Sequence, residues 1–94
     1  MDTRRQLKTI NPIEFGLSKR TNIAVDNENN YYVVKNIKSR IIMKDGKKIS
    51  EIAKIIKTKK NKNVLLATTA PVCSKTKKYL KEKDINIVES YVVS

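Results

Sequence analysis

Asp26, Asn36 and Lys38 are the residues whose types and spacing come closest to a chemical set. Asp26 closes a short apolar run, a polar turn follows, and a second apolar run carries Asn36 and Lys38 two positions apart. On a strand, residues two apart share a face. An amide oxygen and an ammonium would therefore project together while Ile37 turns inward. Two carboxylates with a lysine can hold a divalent cation against a phosphodiester, polarise it and activate water. Here an amide stands where the second carboxylate would be, offering an oxygen without charge. Catalysis at Asp26, Asn36 and Lys38 is therefore expected to be degenerate. No metal or other cofactor is expected, with Mg2+ entering only if the site is active. Glu28, in the turn, is the nearest further carboxylate. The plainer alternative is a hairpin in which Asp26 shapes the turn and Lys38 faces solvent.

Other chemistries are closed off by composition. The chain has no histidine and a single cysteine, Cys73. That removes an internal disulfide, the usual nitrogen and sulfur ligands of zinc, and histidine-assisted nucleophiles. Cys73 lies near an expected helix start, where a thiol becomes more acidic, though packing is its simpler role. No apolar run reaches the roughly 20 residues of a membrane span. The N-terminus lacks the apolar centre of a secretory signal, so a cytoplasmic protein is expected.

Charge speaks to partners. Lysine and arginine total 21 against 9 acidic residues, a net charge of +12. Such an excess attracts polyanions and speeds encounter with them. DNA or RNA is the expected partner, because neutralising phosphates releases counterions and supplies most non-specific affinity. A lysine-rich surface that serves solubility alone is the competing reading.

The elements that must position these residues follow from local pattern. Residues 1–21 read as a basic arm or short helix, with Asn11 capping and Pro12 in the first turn. Residues 22–94 read as a single domain, a size that supports one core. Residues 22–26 and 31–38 read as the strands of an antiparallel hairpin around the turn Asn27-Glu28-Asn29-Asn30. Asp45-Gly46 predicts a second hairpin over 41–49, because that dipeptide suits a turn with positive φ. A helix capped by Ser50 then follows, with Ile52, Ile55 and Ile56 as its buried stripe. Asn63-Val64-Leu65-Leu66-Ala67-Thr68-Thr69 reads as a strand buried on both faces. A helix after Pro71 and a strand over 85–89 complete a parallel, right-handed βαβ unit. Tyr91-Val92-Val93 extends the last strand or covers an edge. Of Tyr31 and Tyr32, one is expected in the core, and the other could stack on a base. The fold class is α/β (α+β): a mixed sheet of about four or five strands, with two main helices.

Hairpin, helix, buried strand, helix and strand together resemble the core of the restriction-endonuclease-like superfamily. This is the PD-(D/E)xK group that includes archaeal Holliday-junction resolvases. The resemblance covers residues 22–89. It implies that Asp26 matches the family's aspartate and Lys38 its lysine, while Asn36 stands in the glutamate position. Val25 also replaces the motif's proline. The implied protein is a relative of metal-dependent nucleases with a damaged metal site, and homodimerisation is an implied possibility. The strand–helix–strand from Asn63 to Val88 also looks like part of the kink-turn-binding ribosomal proteins, without their glycine-rich motif.

Lysine rows supply the candidate binding surface. Lys44, Lys47 and Lys48 flank the expected turn. Lys54, Lys57, Lys59, Lys60 and Lys62 follow on the first helix and its exit, and Lys75, Lys77, Lys78, Lys81 and Lys83 lie on the second. If both helices cover one sheet face, the rows merge. Lysine lacks the bidentate fork of arginine, which favours phosphate attraction over base reading. Three functions stay open at this point. They are nucleic-acid binding without chemistry, an active nuclease, and a small inhibitor of viral or plasmid type that docks on an acidic protein surface.

Overall fold

The computed structural model describes residues 4–93. Its strands are β1 (Arg5–Ile10), β2 (Ile23–Val25), β3 (Tyr31–Lys35), β4 (Val64–Thr68), β5 (Ile87–Val88) and β6 (Tyr91–Val93). Its helices are α1 (Met43–Lys60) and α2 (Ser74–Glu82). All six strands join one sheet in the order β5-β4-β3-β2-β1-β6. The β2–β3 pair is the expected antiparallel hairpin, and β4, α2 and β5 form the expected parallel unit. β2 also pairs antiparallel with β1, so it alone runs against the other strands. The fold class is as expected, with six strands where four or five were anticipated.

The sixth strand comes from the segment expected to be an arm. Leu7 alternates with charged and polar neighbours and is only 1% exposed. Burying that leucine between β2 and β6 holds Arg5–Ile10 in the sheet despite its charge. Met1 to Thr3 lie outside the described residues. The expected short helix is a single 3-10 turn, Pro12–Phe15, in which the Asn11 side chain accepts from the Ile13 N–H at 3.0 Å. Its Phe15 is buried and meets Tyr31 edge-on.

The second expected hairpin does not form. Residues 43–49 begin α1 instead, which places Ser50 inside the helix rather than at its cap. Gly46, Ile49, Ile52, Ala53 and Ile56 are all buried, and their spacing of three and four is one helical stripe. Asp45 reaches back so that its carboxylate accepts from the Ile42 N–H at 3.2 Å, one half of a capping box. Gly46 serves close approach rather than a turn: a Cβ there would lie 2.7 Å from Thr76 Cγ2 on α2. At the other end Asn61, with φ of 51°, closes α1 by donating its N–H to the Lys57 carbonyl.

Both helices and Phe15 pack on one sheet face, around Ile23, Val33, Val64 and Leu66. The opposite face buries Leu7, Ala24, Tyr32, Val34 and Ala67, with Tyr91 and Val88 against them. Among the described residues no helix packs on this second face. Six strands laid flat would separate β5 and β6 by about 24 Å. Yet Glu89 and Ser90 alone join the two edges, a reach of about 11 Å. The sheet must therefore curl, and the Arg5 N–H bonds the Ser90 carbonyl at 3.3 Å where the ends meet.

One end of the concave face is closed by a chain of polar groups. Arg5 donates to the Tyr32 hydroxyl at 2.6 Å, and that hydroxyl donates to Asp26 at 2.7 Å. Asp26 also accepts from the N–H groups of Glu28 and Asn30, at 2.9 and 3.0 Å, and from the Asn30 side chain. Burial works against the charge on Asp26, but the bonds from Asn30, Tyr32 and Glu28 outweigh it and hold the carboxyl below its ordinary range. Burial, followed by the bond to Asp26, raises Tyr32, which stays neutral and can both accept and donate. Tyr32 is thus a core residue; Tyr31 packs against the helix-side core.

Two outcomes follow from this packing. Gly46→Ala adds helix propensity worth about 1 kcal/mol, yet forces α1 from α2 at a cost of about 1–3 kcal/mol. Its urea midpoint is expected to fall with an unchanged m-value, and a rise would contradict the close approach. Asp26→Asn should cost about 1–3 kcal/mol. Because the folded carboxyl titrates below its unfolded counterpart, its contribution is complete above the unfolded value and vanishes as pH falls through the folded one. Wild-type stability should thus decline below about pH 4, and thermal melts of Asp26→Asn should lack that component.

Candidate nucleic-acid interface

Of the three residues expected to act together, Asp26 is held apart from Asn36 and Lys38. In the β2–β3 register Val25 faces Tyr31 and Ile23 faces Val33, which sets Asp26 beside Asn30 at the closed end. Asn36 lies six residues beyond Asn30, about 20 Å along the strand direction. β3 stops at Lys35, so Asn36 lies just outside the strand and Lys38 sits in an exposed bend. Asp26 is engaged by Arg5, Tyr32 and the turn; it shapes the hairpin. Alternating polarity suggested a longer strand, but the chain leaves the sheet after Lys35 to reach α1. Ile41 then pairs with the segment before α2, accepting from the Cys73 N–H at 2.9 Å.

Asn36 belongs to the other end of the sheet, where the parallel strands finish. Ligands of α/β sheets gather beyond the carboxyl ends of strands. At that end Arg20, Lys35 and Lys48 line a cleft of about 450 Å³, together with Ser18, Thr21, Asn22 and Asn36. Each cation is placed by local structure. The Ser18 hydroxyl accepts from the Arg20 N–H at 3.3 Å, which turns the chain into β2. Lys35 ends β3, where its carbonyl accepts from the buried Thr68 hydroxyl at 2.8 Å. That hydroxyl in turn accepts from the Ala70 N–H, pinning the ends of β3 and β4 together. Lys48 projects from α1 beside the buried Ile49. No carboxylate lines the cleft. Three like charges around one concavity repel one another, and an anion between them relieves that repulsion.

Of the expected lysines, Lys48 alone lines this cleft. Lys44 and Lys47 precede it on exposed positions of α1, and Lys75, Lys77 and Lys78 are exposed on α2. α1 and α2 share one sheet face and approach closely at Gly46 and Thr76, so both lysine rows belong to the helical side. Lys57, Lys59 and Lys60 have contacts of their own. Lys57 donates to the Lys83 carbonyl, Lys59 donates to the Glu14 carbonyl, and Lys60 lies over the Phe15 ring. Arg20 and Lys35 were missed by the sequence reading. Their only signal was position, one just before a strand and the other at a strand's end. Cys73 caps α2, where N–H groups of Lys75 and Thr76 lower its thiol.

A divalent cation does not fit the donors at this end. Beside the cationic cleft, on the concave side, the oxygen donors with polar side chains are Thr9, Asn22, Asn36 and Thr69, with the Tyr91 phenol. Hydroxyls and amides supply oxygens but no negative charge, and Mg2+ is normally held by one or two carboxylates. Among the described residues no three His, Cys, Asp or Glu side chains gather into a possible metal site. No helix among them is long and apolar enough to cross a membrane.

No protein-family model and no curated protein matches the sequence. Solved structures do. A repair endonuclease from Pyrococcus abyssi aligns at 15% identity with a TM-score of 0.61, over 74% of this chain and 31% of that one. EndoMS in its apo form aligns at 11% identity with a TM-score of 0.63, over 92% of this chain and 37% of that one. EndoMS in an EndoMS-dsDNA2 complex aligns at 11% identity with a TM-score of 0.65, over 88% of this chain and 36% of that one. The chain thus spans about a third of the length of these proteins. With its curled mixed sheet and two helices on one face, it has the restriction-endonuclease-like fold.

Proposed function

We propose that this protein binds nucleic acid through the basic cleft at the carboxyl end of its sheet and performs no phosphodiester chemistry there. One observation carries the reading: Arg20, Lys35 and Lys48 converge on a cleft whose lining holds no carboxylate. The net charge of +12 adds a long-range attraction for polyanions. The exposed lysines of α1 and α2 extend it over the helical side. A similar structure is a complex with double-stranded DNA, which makes DNA the first ligand to test. Amide and hydroxyl donors beside the cleft support binding without a metal ion, and so without an activated water.

The cations act as point charges and forks for phosphate oxygens. Affinity should therefore fall steeply with salt, with weak dependence on sequence. In gel-shift titrations across salt concentrations, each of Arg20→Ala, Lys35→Ala and Lys48→Ala should lower the slope of log K against log salt by about 0.9. Asp26→Asn should leave that slope unchanged. Incubation with DNA and Mg2+ or Mn2+ should leave the DNA intact; cleavage that survives purification and is lost in Asn36→Ala would overturn the non-catalytic reading. Absence of retardation by DNA or RNA at low salt would overturn nucleic-acid binding and point to an acidic protein surface.

A further inference from the structure

The mouth of the curled sheet holds a second concavity, of about 470 Å³, which the charge argument does not use. Its apolar lining is Ile23, Val34, Tyr91 and Val93, and its polar rim is Thr9, Asn22, Asn36 and Thr69. Val34 and Tyr91 belong to the concave core, and each rim residue lies two positions from a concave-face residue. Thr9 follows Leu7, Asn36 follows Val34 and Thr69 follows Ala67, while Asn22 precedes Ala24. Thr9 is turned inward by the alternation of β1, and Asn22, Asn36 and Thr69, one residue beyond strand ends, line the same pocket. No charged residue lines this pocket, so it lacks the ionic attraction for phosphate that the cleft has.

What it offers is an apolar floor with an aromatic ring, surrounded by groups that both donate and accept hydrogen bonds. An asparagine amide presents a donor and an acceptor side by side, which matches the edge of a nucleobase. Asn22, Val34 and Asn36 line this pocket and the cationic cleft alike. The ends of β2 and β3 are thus a ridge, with cations on one side and neutral polar groups on the other. A nucleotide straddling that ridge would place its phosphate by Arg20, Lys35 and Lys48, and its base over Tyr91.

We propose that the neutral pocket takes a single unpaired nucleobase, so that the protein prefers nucleic acid carrying an unstacked nucleotide over an intact duplex. This rests on the nucleic-acid reading above and adds a ligand class for a specific pocket. A base inside a duplex cannot turn over the ridge, whereas a bulged one can, with less unstacking to overcome.

Three labelled DNA probes test it: an intact duplex, the same duplex with one bulged 2-aminopurine, and the same bulge with an abasic residue. The base-bearing bulge should bind about tenfold tighter than the abasic one, a modest yield for one stacked base. Its 2-aminopurine emission should also change on binding. Asn36→Ala, at an exposed rim position, should erase most of that preference while keeping the salt slope. Thr69→Phe, which fills the mouth from another exposed position, should do the same. Lys48→Ala should weaken all three probes alike and keep the preference. Equal binding of both bulges by the wild type would overturn the pocket assignment and leave phosphate binding standing. Failure to bind any probe would overturn both.

Discussion

Everything at the open end of this molecule depends on the curl of its sheet. Two residues, Glu89 and Ser90, tie together strands that stand at opposite edges of a six-stranded sheet. A flat sheet cannot meet that constraint. Closure gives the sheet a face that needs no helix, and Leu7, Tyr32, Val34 and Ala67 fill it. It also gives the molecule two distinct ends. Arg5, Tyr32 and Asp26 cap one end; the other opens where β1, β3 and β4 finish.

The two ends handle charge in opposite ways. At the closed end a cation, a phenol and a carboxylate satisfy one another, and the turn supplies further donors to Asp26. A buried carboxylate left without partners would be costly, so this chain of bonds is structural. At the open end Arg20, Lys35 and Lys48 have no acidic partner in their cleft. Three of the unpaired cations stand where side chains can surround a ligand, and the paired charge where it holds the hairpin. The neutral pocket between β1 and β4 then separates phosphate attraction from whatever recognises a base.

Legibility followed the range of the interactions involved. The β2–β3 hairpin and the β4–α2–β5 unit were readable because their patterns are local. So was the Asn11 cap. α1 was half-read: Ile52 and Ile56 marked the stripe, but Ile55, read with them, is exposed, and Asp45-Gly46 suggested a turn. The need for a glycine there comes from Thr76 on another helix, which no local pattern records. β1 was lost because one leucine among charges gives a weak signal until its neighbours on both sides are known. The site failed for the same reason. Asp26 and Asn36 are near in sequence but at opposite ends of the hairpin, whereas Arg20, Lys35 and Lys48 converge from three separate elements.

The central claim is that ligand meets this protein at the open end of the curled sheet and not at the acidic turn. Amide chemical-shift mapping of the isotopically labelled protein, titrated with a short DNA oligonucleotide, tests it most directly. The account predicts shifts concentrated at residues 20–22, 35–36 and 48, with the amides of 26–30 unmoved. Shifts centred on 26–30, or a spectrum indifferent to DNA, would contradict it.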